Sequence, residues 1–353
     1  MKNSYPLTIV LILSFLITNI SYSQNSALQF VNADYDFGLQ PTNVQVNDVE
    51  DAYTTWKSNY VATCTNNRFR VQFDDPAFSV SEGIAYGMLL AAYANDKELF
   101  DGLWLYYLDN TNVNDVMNWK INGCSTVDGQ NGATDAELDA ALALIVADKR
   151  WGNTGSIHYK NAALALIQTI KDHEVEAVNN VLKPGDMWGG SNNTNPSYFT
   201  TSYFRVFGDY TGDITYWNAV ATKCYAIINA NLSQNNAVYN LVSDWTEADG
   251  DYSTIVPWAY NQGQSYYYDA ARTPWRIAID YIWYGQAEAL SYTNLCNDFV
   301  AAQGGFNQIY PGYSQAGVAI NTSYKDPTFT GAYALAAMSS TNQTFVNNGY
   351  TEL

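Results

Sequence analysis

The sequence predicts an all-α protein that forms a single domain. Segments with apolar residues three and four positions apart recur along the chain, which is the pattern of helices with one buried face. They alternate with long loops rich in aromatic residues, Asn and Gly, and few stretches other than RFRVQF are typical of strands. No linker rich in Pro, Ser or Thr and no strict repeat divides the chain. About ten to twelve helices are therefore expected in one domain.

Residues 1–23 have the features of a signal peptide. Lys2 supplies a positive charge, residues 7–17 form an apolar core, and Ser21 and Ser23 are small residues that offer a cleavage site before Gln24. The apolar run is too short for a comfortable membrane span. We therefore expect an exported protein whose mature domain is residues 24–353.

The helices follow in order along the mature chain. Two of them make a hairpin over residues 78–110, in which Ser79 and Glu82 have the spacing of a capping box and Asn95 ends the first helix. Thr134 and Glu137 have the same spacing at the start of the next helix. The other helices are expected at residues 49–60, 133–149, 157–173, 198–210, 214–232, 274–290, 292–303 and 331–339.

The four cysteines allow two disulfides in an exported chain, with three possible pairings. Cys64 and Cys124 lie in loops, whereas Cys224 and Cys296 lie in helical surroundings. A Cys64–Cys124 bridge is preferred, and buried free thiols are the alternative for the other two. No spacing is typical of a zinc site and only two histidines are present, so we expect neither a metal nor an organic cofactor.

The composition narrows the possible ligands. A formal net charge of −18 argues against nucleic acid and anionic membranes as partners. The chain has 29 Tyr and 10 Trp but few charged residues, and aromatic side chains with polar rims suit the apolar faces of sugar rings. A large aromatic core would account for most of these residues, so the composition makes carbohydrate only a candidate ligand.

Three segments contain carboxylates that are candidates for acid–base chemistry. They are SEGIAYGM with Glu82, GATDAELDA with Asp135, and SYYYDAARTPW with Asp269. Because Pro274 disfavours a regular helix, Asp269 is expected on a turn before a helix. Each carboxylate also has an ordinary explanation. Glu82 and Asp135 suit the first turns of helices, and Asp269 has the spacing for a local ion pair with Arg272.

Together these segments resemble glycoside hydrolase family 8. SEGIAYG is similar to the acid-bearing SEG-x-x-YG motif, GATDAE to the A-[ST]-D-[AG]-D signature, and DAAR to the base-bearing D-A-x-R segment. Glu137 stands where the signature prefers Asp, which leaves its role open. Further likeness covers nearly the whole mature chain, in NWK, LKPGDMWGG, NPSYFTTSYFRVF, LVSDWTEADG and TGAYALAAM. The resemblance implies an (α/α)6 toroid of about six helix pairs with an open cleft.

The resemblance also implies catalytic roles. Glu82 would protonate the glycosidic oxygen, Asp269 would deprotonate a water, and Asp135 would grip the sugar at the cleavage point. An inverting reaction of this kind requires its two carboxyl groups to stand roughly 6.5–9.5 Å apart. Arg272 would hold Asp269 ionised and aimed, and Tyr268 would help to orient the water.

Other residues are expected to contact the sugar chain. Trp119 and Trp188 match positions that stack sugars in the family, and Tyr203, Arg205 and Tyr333 are weaker candidates. The SEGIAYG and DAAR segments favour glucan over xylan and chitosan. We therefore expect a secreted, monomeric, inverting endo-β-1,4-glucanase that binds a β-linked polysaccharide. The alternatives are the same mechanism on xylan, mixed-linkage β-glucan or chitosan, a non-catalytic sugar-binding protein, and a helical scaffold.

Overall fold

A computed structural model describes residues 30, 33, 35–45, 47–234 and 241–353. Eleven α-helices and five short strands lie within these ranges, so the predicted all-α class is confirmed. The predicted signal peptide lies outside the described residues. Within the described ranges, no helix combines the length and apolar character needed to cross a membrane.

The first of two compact units contains Gln45–Glu174 and Gly185–Met187. Its helices are α1 (Asp48–Tyr60), α2 (Ser81–Ala94), α3 (Lys97–Asp109), α4 (Thr134–Trp151) and α5 (Tyr159–Thr169). A π-helical turn, Ile170–Glu174, continues α5. Two small antiparallel sheets pair β1 (Val61–Thr63) with β2 (Phe69–Val71), and β3 (Phe78–Val80) with β4 (Lys120–Asn122) and β5 (Thr126–Gly129).

Helix α4 is the centre of the first unit's core. Every residue from Thr134 to Ala147 is buried, so protein surrounds this part of the helix on all sides. It packs on α2 and α5, and α2 packs on α3. The predicted break between α2 and α3 is confirmed, because Asn95 ends α2 in a left-handed conformation and the Asp96 side chain caps α3.

Both predicted capping boxes are wrong. Helix α2 begins after Val80, whose backbone is extended, and no side chain caps it. Ser79 belongs to β3, where its hydroxyl accepts a hydrogen bond from Arg70 Nη1 at 3.2 Å. Helix α4 likewise begins after Ala133 without a side-chain cap. The pairing of β3 with β4 holds the chain extended up to the first turn of α2, and this tertiary contact overrides the local capping signal.

The second unit contains Tyr35–Val44, Val175–Pro184 and Trp188–Leu353. Its helices are α6 (Thr201–Thr211), α7 (Ile214–Gln234), α8 (Thr273–Tyr284), α9 (Ala287–Gln303), α10 (Pro327–Ala336) and α11 (Gln343–Thr351). Helix α8 packs on both α6 and α10, and each of these three helices also packs on the helix that follows it in the chain. The same alternation joins α2 to α3 and α4 in the first unit. Paired helices of this kind are what an (α/α)6 fold requires.

Two helix assignments in the second unit differ from the prediction. The helix expected over residues 274–290 ends at Tyr284, because Gly285 adopts a φ of 66° and turns the chain. Residues 287–290, expected at the end of that helix, and the helix expected over residues 292–303 instead form one continuous helix, α9. The last helix, α11, was not predicted because only Val346 and Gly349 of its nine residues are buried.

The preferred disulfide is confirmed. Cys64, which follows β1, is bonded to Cys124 in the turn between β4 and β5. Cys224 in α7 and Cys296 in α9 are buried free thiols. Burial is the main reason that the pKa of the Cys296 thiol rises to about 12, which is consistent with a packing role.

Candidate active site

Glu82 lies in the first turn of α2, where its side chain is partly exposed. The backbone next to it is fixed, because the Ser81 N–H donates to the Trp119 carbonyl oxygen at 2.9 Å. Trp119 is 43% exposed, and its indole lies so close to Gly129 that a Cβ there would approach the ring to 2.3 Å. The structure therefore brings the predicted acid and a predicted sugar platform together in the first unit.

Asp135 lies in the first turn of α4, the helix on which α2 packs. It is only 2% exposed, and its Oδ1 accepts a hydrogen bond from the Ala136 N–H at 3.0 Å. A helix N-terminus stabilises negative charge, which suits a carboxylate at this depth. Glu82 and Asp135 thus lie in the first turns of two helices that contact each other.

Glu137, whose role the sequence left open, is fully buried in the same turn as Asp135. Its Oε1 accepts hydrogen bonds from the Tyr107 hydroxyl at 2.9 Å and from the Met117 N–H at 3.3 Å. Burial is the largest cause that raises its pKa to about 8, and the charge of Asp135 acts in the same direction. Among the described residues, no group of three or more His, Cys, Asp or Glu side chains is arranged to hold a metal ion.

Asp269 lies immediately before a 3₁₀ turn, Ala270–Arg272, that leads into α8, and the predicted turn is confirmed. Its Oδ1 accepts a hydrogen bond from Arg272 Nη2 at 2.8 Å, and its Oδ2 accepts one from the Trp245 indole N–H at 2.9 Å. The side chain is nevertheless 30% exposed. One donor on each oxygen fixes the plane of the carboxylate while leaving it accessible to a reactant.

Arg272 is itself held in place. Its guanidinium lies 5.2 Å from the centre of the Tyr198 ring, and its side chain is largely buried. An arginine stacked on an aromatic face keeps a fixed orientation at small cost in entropy. Tyr198 therefore supports the salt bridge to Asp269, a role that the sequence did not predict.

Asp244 is a second carboxyl group beside Asp269, and the sequence did not single it out. Its Oδ1 accepts hydrogen bonds from the backbone N–H groups of Tyr267 at 2.9 Å and Ala270 at 2.7 Å, which flank Asp269 in the chain. Burial, followed by the nearby charge of Asp269, holds the pKa of Asp244 well above its usual range. The two hydrogen bonds to Asp244 hold the loop that carries Asp269 in place.

Trp188 belongs to a cluster of three indoles. Its ring centre lies 5.5 Å from that of Trp245 and 5.9 Å from that of Trp258. Trp245, which donates to Asp269, is buried, whereas Trp258 is 65% exposed. The predicted platform at Trp188 is therefore connected to the candidate base through Trp245, and Trp258 is a further exposed ring that the sequence reasoning missed.

Tyr268 is exposed, and its hydroxyl donates to Asp326 Oδ2 at 2.8 Å and lies 2.9 Å from the Tyr324 hydroxyl. Its ring also makes an edge-to-face contact with Phe329. These contacts direct the phenol towards the residues that precede α10. Its predicted part in orienting a water stays a prediction.

Tyr203, Arg205 and Tyr333 have the contacts of core residues. Tyr203 is buried and stacks on Trp283, and Tyr333 is buried against other aromatic rings. Arg205 forms a bidentate salt bridge with Asp280, with distances of 2.7 Å from Nε to Oδ1 and 3.1 Å from Nη2 to Oδ2. Their predicted contact with substrate stays a prediction.

The comparisons with known proteins agree on a family. The sequence profile described as "Glycosyl hydrolases family 8" matches residues 40–353. The chain is 38% identical to Endoglucanase 2 of Ruminiclostridium josui, over 96% of this chain and 74% of the relative. It is 40% identical to Endoglucanase A of Acetivibrio thermocellus, over 91% of this chain and 68% of the relative. The apo structure of a β-1,3-1,4-glucanase from Paenibacillus sp. X4 has a TM-score of 0.82 and 30% identity, over 90% of this chain and 89% of that one.

Proposed function

From the premise that this chain belongs to glycosyl hydrolase family 8, and is thus an inverting glycoside hydrolase, we propose that it is a secreted endoglucanase that hydrolyses β-1,4-linked glucan. The observation that carries the proposal is the Asp269 carboxylate. Both of its oxygens have a hydrogen-bond donor, one of them cationic, and the group is still accessible. A carboxylate held in this way is prepared to accept a proton from water.

Glu82 is the proposed acid. Inversion requires a protonated carboxyl group at the glycosidic oxygen and an ionised one that activates water. Glu82 is partly exposed at the start of α2 and belongs to the same unit as the exposed Trp119 ring. It would donate its proton to the leaving oxygen as the glycosidic bond breaks, so that the departing sugar leaves as a neutral alcohol.

Asp269 is the proposed base. As the water attacks the anomeric carbon, one of its protons passes to a carboxylate oxygen of Asp269. The salt bridge from Arg272 and the hydrogen bond from Trp245 hold the carboxylate in one orientation, which reduces the reorganisation needed in the transition state. Asp135 is proposed to bind the hydroxyl groups of the sugar at the cleavage point, and its small exposed area limits it to close contact with a single ring.

The sugar platforms are proposed to be Trp119 in the first unit and the cluster of Trp188 and Trp258 in the second. The exposed indole faces offer flat apolar surfaces to pyranose rings. Trp258 adds to the predicted set because an indole with two-thirds of its surface in water is not explained by core packing.

Mixed-linkage β-1,3-1,4-glucan is the second candidate substrate. It is favoured by the similarity to the Paenibacillus β-1,3-1,4-glucanase and to a β-glucanase of Niallia circulans, which is 34% identical over 86% of this chain. Xylan and chitosan remain less favoured alternatives. We also propose export, because Lys2 and the apolar core behind it are typical of a signal peptide, and a single-domain monomer as the working form.

The test is NMR of the anomeric protons during digestion of cellohexaose, barley β-glucan and xylohexaose. A first product with the α-configuration from cellohexaose is expected. Glu82→Gln should lower the rate by at least about 10³-fold because the amide cannot protonate the leaving oxygen, while the exposed Glu98→Gln control should match the wild type. A β-configured first product would refute the mechanism, and cleavage of xylohexaose alone would refute the substrate.

A further inference from the structure

Glu137 and Glu174 form a buried carboxyl pair in the first unit. Glu137 comes from the first turn of α4 and Glu174 from the last residue of the π-helical turn that continues α5. Both side chains have no exposed surface, and their carboxyl groups lie within hydrogen-bonding reach of each other. The family signature prefers Asp at position 137, and the additional methylene of Glu137 extends its carboxyl group towards the π-helical turn.

The hydrogen bonds of this pair are incomplete if both groups are ionised. Glu137 Oε1 is satisfied by Tyr107 and Met117, but Glu137 Oε2 and both oxygens of Glu174 have no donor. The Thr134 hydroxyl lies beside the Glu174 carboxyl and also lacks a bond of ordinary geometry. Buried acceptors without donors are rare in native proteins. A single proton between the two glutamates, with rotation of the Thr134 hydroxyl towards Glu174, would satisfy all of these atoms.

The surroundings favour the retention of that proton. The titratable groups that face the pair are Tyr107 from α3, Asp135 from α4 and Asp186 from the segment Gly185–Met187. Burial is the main reason that the pKa of Glu174 lies well above its usual range, and the charges of Glu137 and Asp186 act in the same direction. The pKa of Tyr107 is also raised well above its usual value, so that its hydroxyl remains a donor.

We propose that Glu137 and Glu174 share one proton in the active protein and act as a positioning pair that fixes the first turn of α4, on which Asp135 lies. Removal of the proton would put two like charges into one buried space and would separate α4 from the π-helical turn. Only Ala136 lies between Glu137 and Asp135, so displacement of the first carboxyl group displaces the second. The effect on hydrolysis rests on the proposed role of Asp135, whereas the shared proton does not.

The first experiment uses Glu174→Gln, because the Gln amide supplies an N–H donor at every pH in place of the proton. We would measure kcat and KM on soluble β-glucan together with Tm from about pH 5 into the alkaline range, with the exposed Glu98→Gln as a matched control. In the wild type and the control, Tm should fall as the pH rises from the unfolded-state pKa of about 4.5 towards the raised folded-state pKa of the pair, and kcat should fall as the pH passes that folded-state pKa. In Glu174→Gln, which lacks the shared proton, the fall in Tm should be smaller and the fall in kcat should begin about one pH unit or more higher. An alkaline decline of Glu174→Gln identical to that of the wild type would overturn the proposal.

A second experiment needs neither activity nor the folding of Glu174→Gln. Infrared spectra of protein labelled with ¹³C-glutamate distinguish protonated glutamate from protonated aspartate, and a Glu82→Gln background removes the proposed acid from the signal. A protonated glutamate band should be present at about pH 6 and should disappear as the pH rises through the alkaline decline. Its absence at about pH 6 would overturn the shared proton. Its presence, together with a wild-type protein that cleaves no glucan, would instead refute the proposed function and leave the pair in place.

Discussion

Asp244 offers a substitution that separates the charge of a carboxyl group from its hydrogen bonds. Its Oδ1 accepts two backbone N–H groups that flank the candidate base, and burial beside Asp269 raises its pKa well above the usual range. Asp244→Asn keeps the accepting oxygen and matches the protonated carboxyl group in charge. Asp244→Ala removes the oxygen and leaves both donors without a partner. If Asp244 is protonated, the two variants should behave very differently.

The expected magnitudes follow from these contacts. Each buried N–H that loses its acceptor costs about 1–3 kcal/mol, so Asp244→Ala should lower the free energy of unfolding by about 2–6 kcal/mol. It should also lower kcat by about 10²-fold, because the loop that carries Asp269 would no longer be fixed. Asp244→Asn should stay within a few-fold of the wild-type kcat at neutral pH.

The pH dependence of stability provides an independent test of whether Asp244 is protonated. Because the pKa of Asp244 is raised in the folded chain, the folded chain keeps this proton over a pH range in which the unfolded chain, with a pKa of about 3.8, has released it. The unfolded state therefore binds fewer protons in this range, and the wild type loses stability as the pH rises. Asp244→Asn has no such proton, so its stability relative to the wild type should increase by about 1.4 kcal/mol per pH unit until the folded-state pKa is reached.

The assay combines chemical unfolding between about pH 4 and 7 with initial rates on soluble β-glucan. Asp280→Asn is the matched control, because Asp280 is equally buried in the second unit but is paired with Arg205. The Asp280→Asn substitution should lower the free energy of unfolding by about 3–5 kcal/mol, since Arg205 loses a buried counter-charge. If Asp244→Asn lost as much activity and stability as Asp244→Ala, an ionised Asp244 would be required and the reasoning would be refuted.

Two further predictions concern the indole cluster. Trp245→Phe keeps an aromatic ring in the cluster but removes the N–H bond to Asp269, which is worth about 1.5–3 kcal/mol, so kcat/KM should fall by about 10–100-fold with KM nearly unchanged. An unchanged kcat/KM in a folded variant would show that this bond does not hold the base. Trp258→Ala should raise KM for long glucan chains by about 3–10-fold with kcat nearly unchanged, because an exposed ring contributes binding but no chemistry. Equal KM values for the variant and the wild type on long chains would exclude Trp258 as a sugar platform.

The sequence could identify the candidate carboxylates because each lies in a short contiguous motif whose local geometry is simple. Asp269 and Arg272 are three residues apart on a turn, and the structure joins them by a salt bridge at 2.8 Å. The capping boxes failed for the opposite reason. Ser79 and Glu82 have the correct spacing, but pairing of β3 with β4 takes Ser79 into a strand, and no local pattern encodes that pairing. Element types could thus be predicted from periodicity, whereas their first residues depended on contacts made elsewhere in the chain.

Arg272 could be predicted as a partner of Asp269, but the buried acids Asp244 and Glu174 could not, because only the folded structure shows that their carboxyl groups are buried. Asp244 lies 26 residues before Ala270 in the chain, and only folding places it under the loop of Asp269. Glu174 lacks a motif of its own and becomes significant only when a π-helical turn directs it at Glu137. The formal net charge of −18 counts all three acids as anions, yet each has a raised pKa inside the protein. A sequence therefore specifies which residues can carry charge. The packing of the folded chain decides which of these residues are ionised, and which are neutral groups whose hydrogen bonds hold the ionised residues in place.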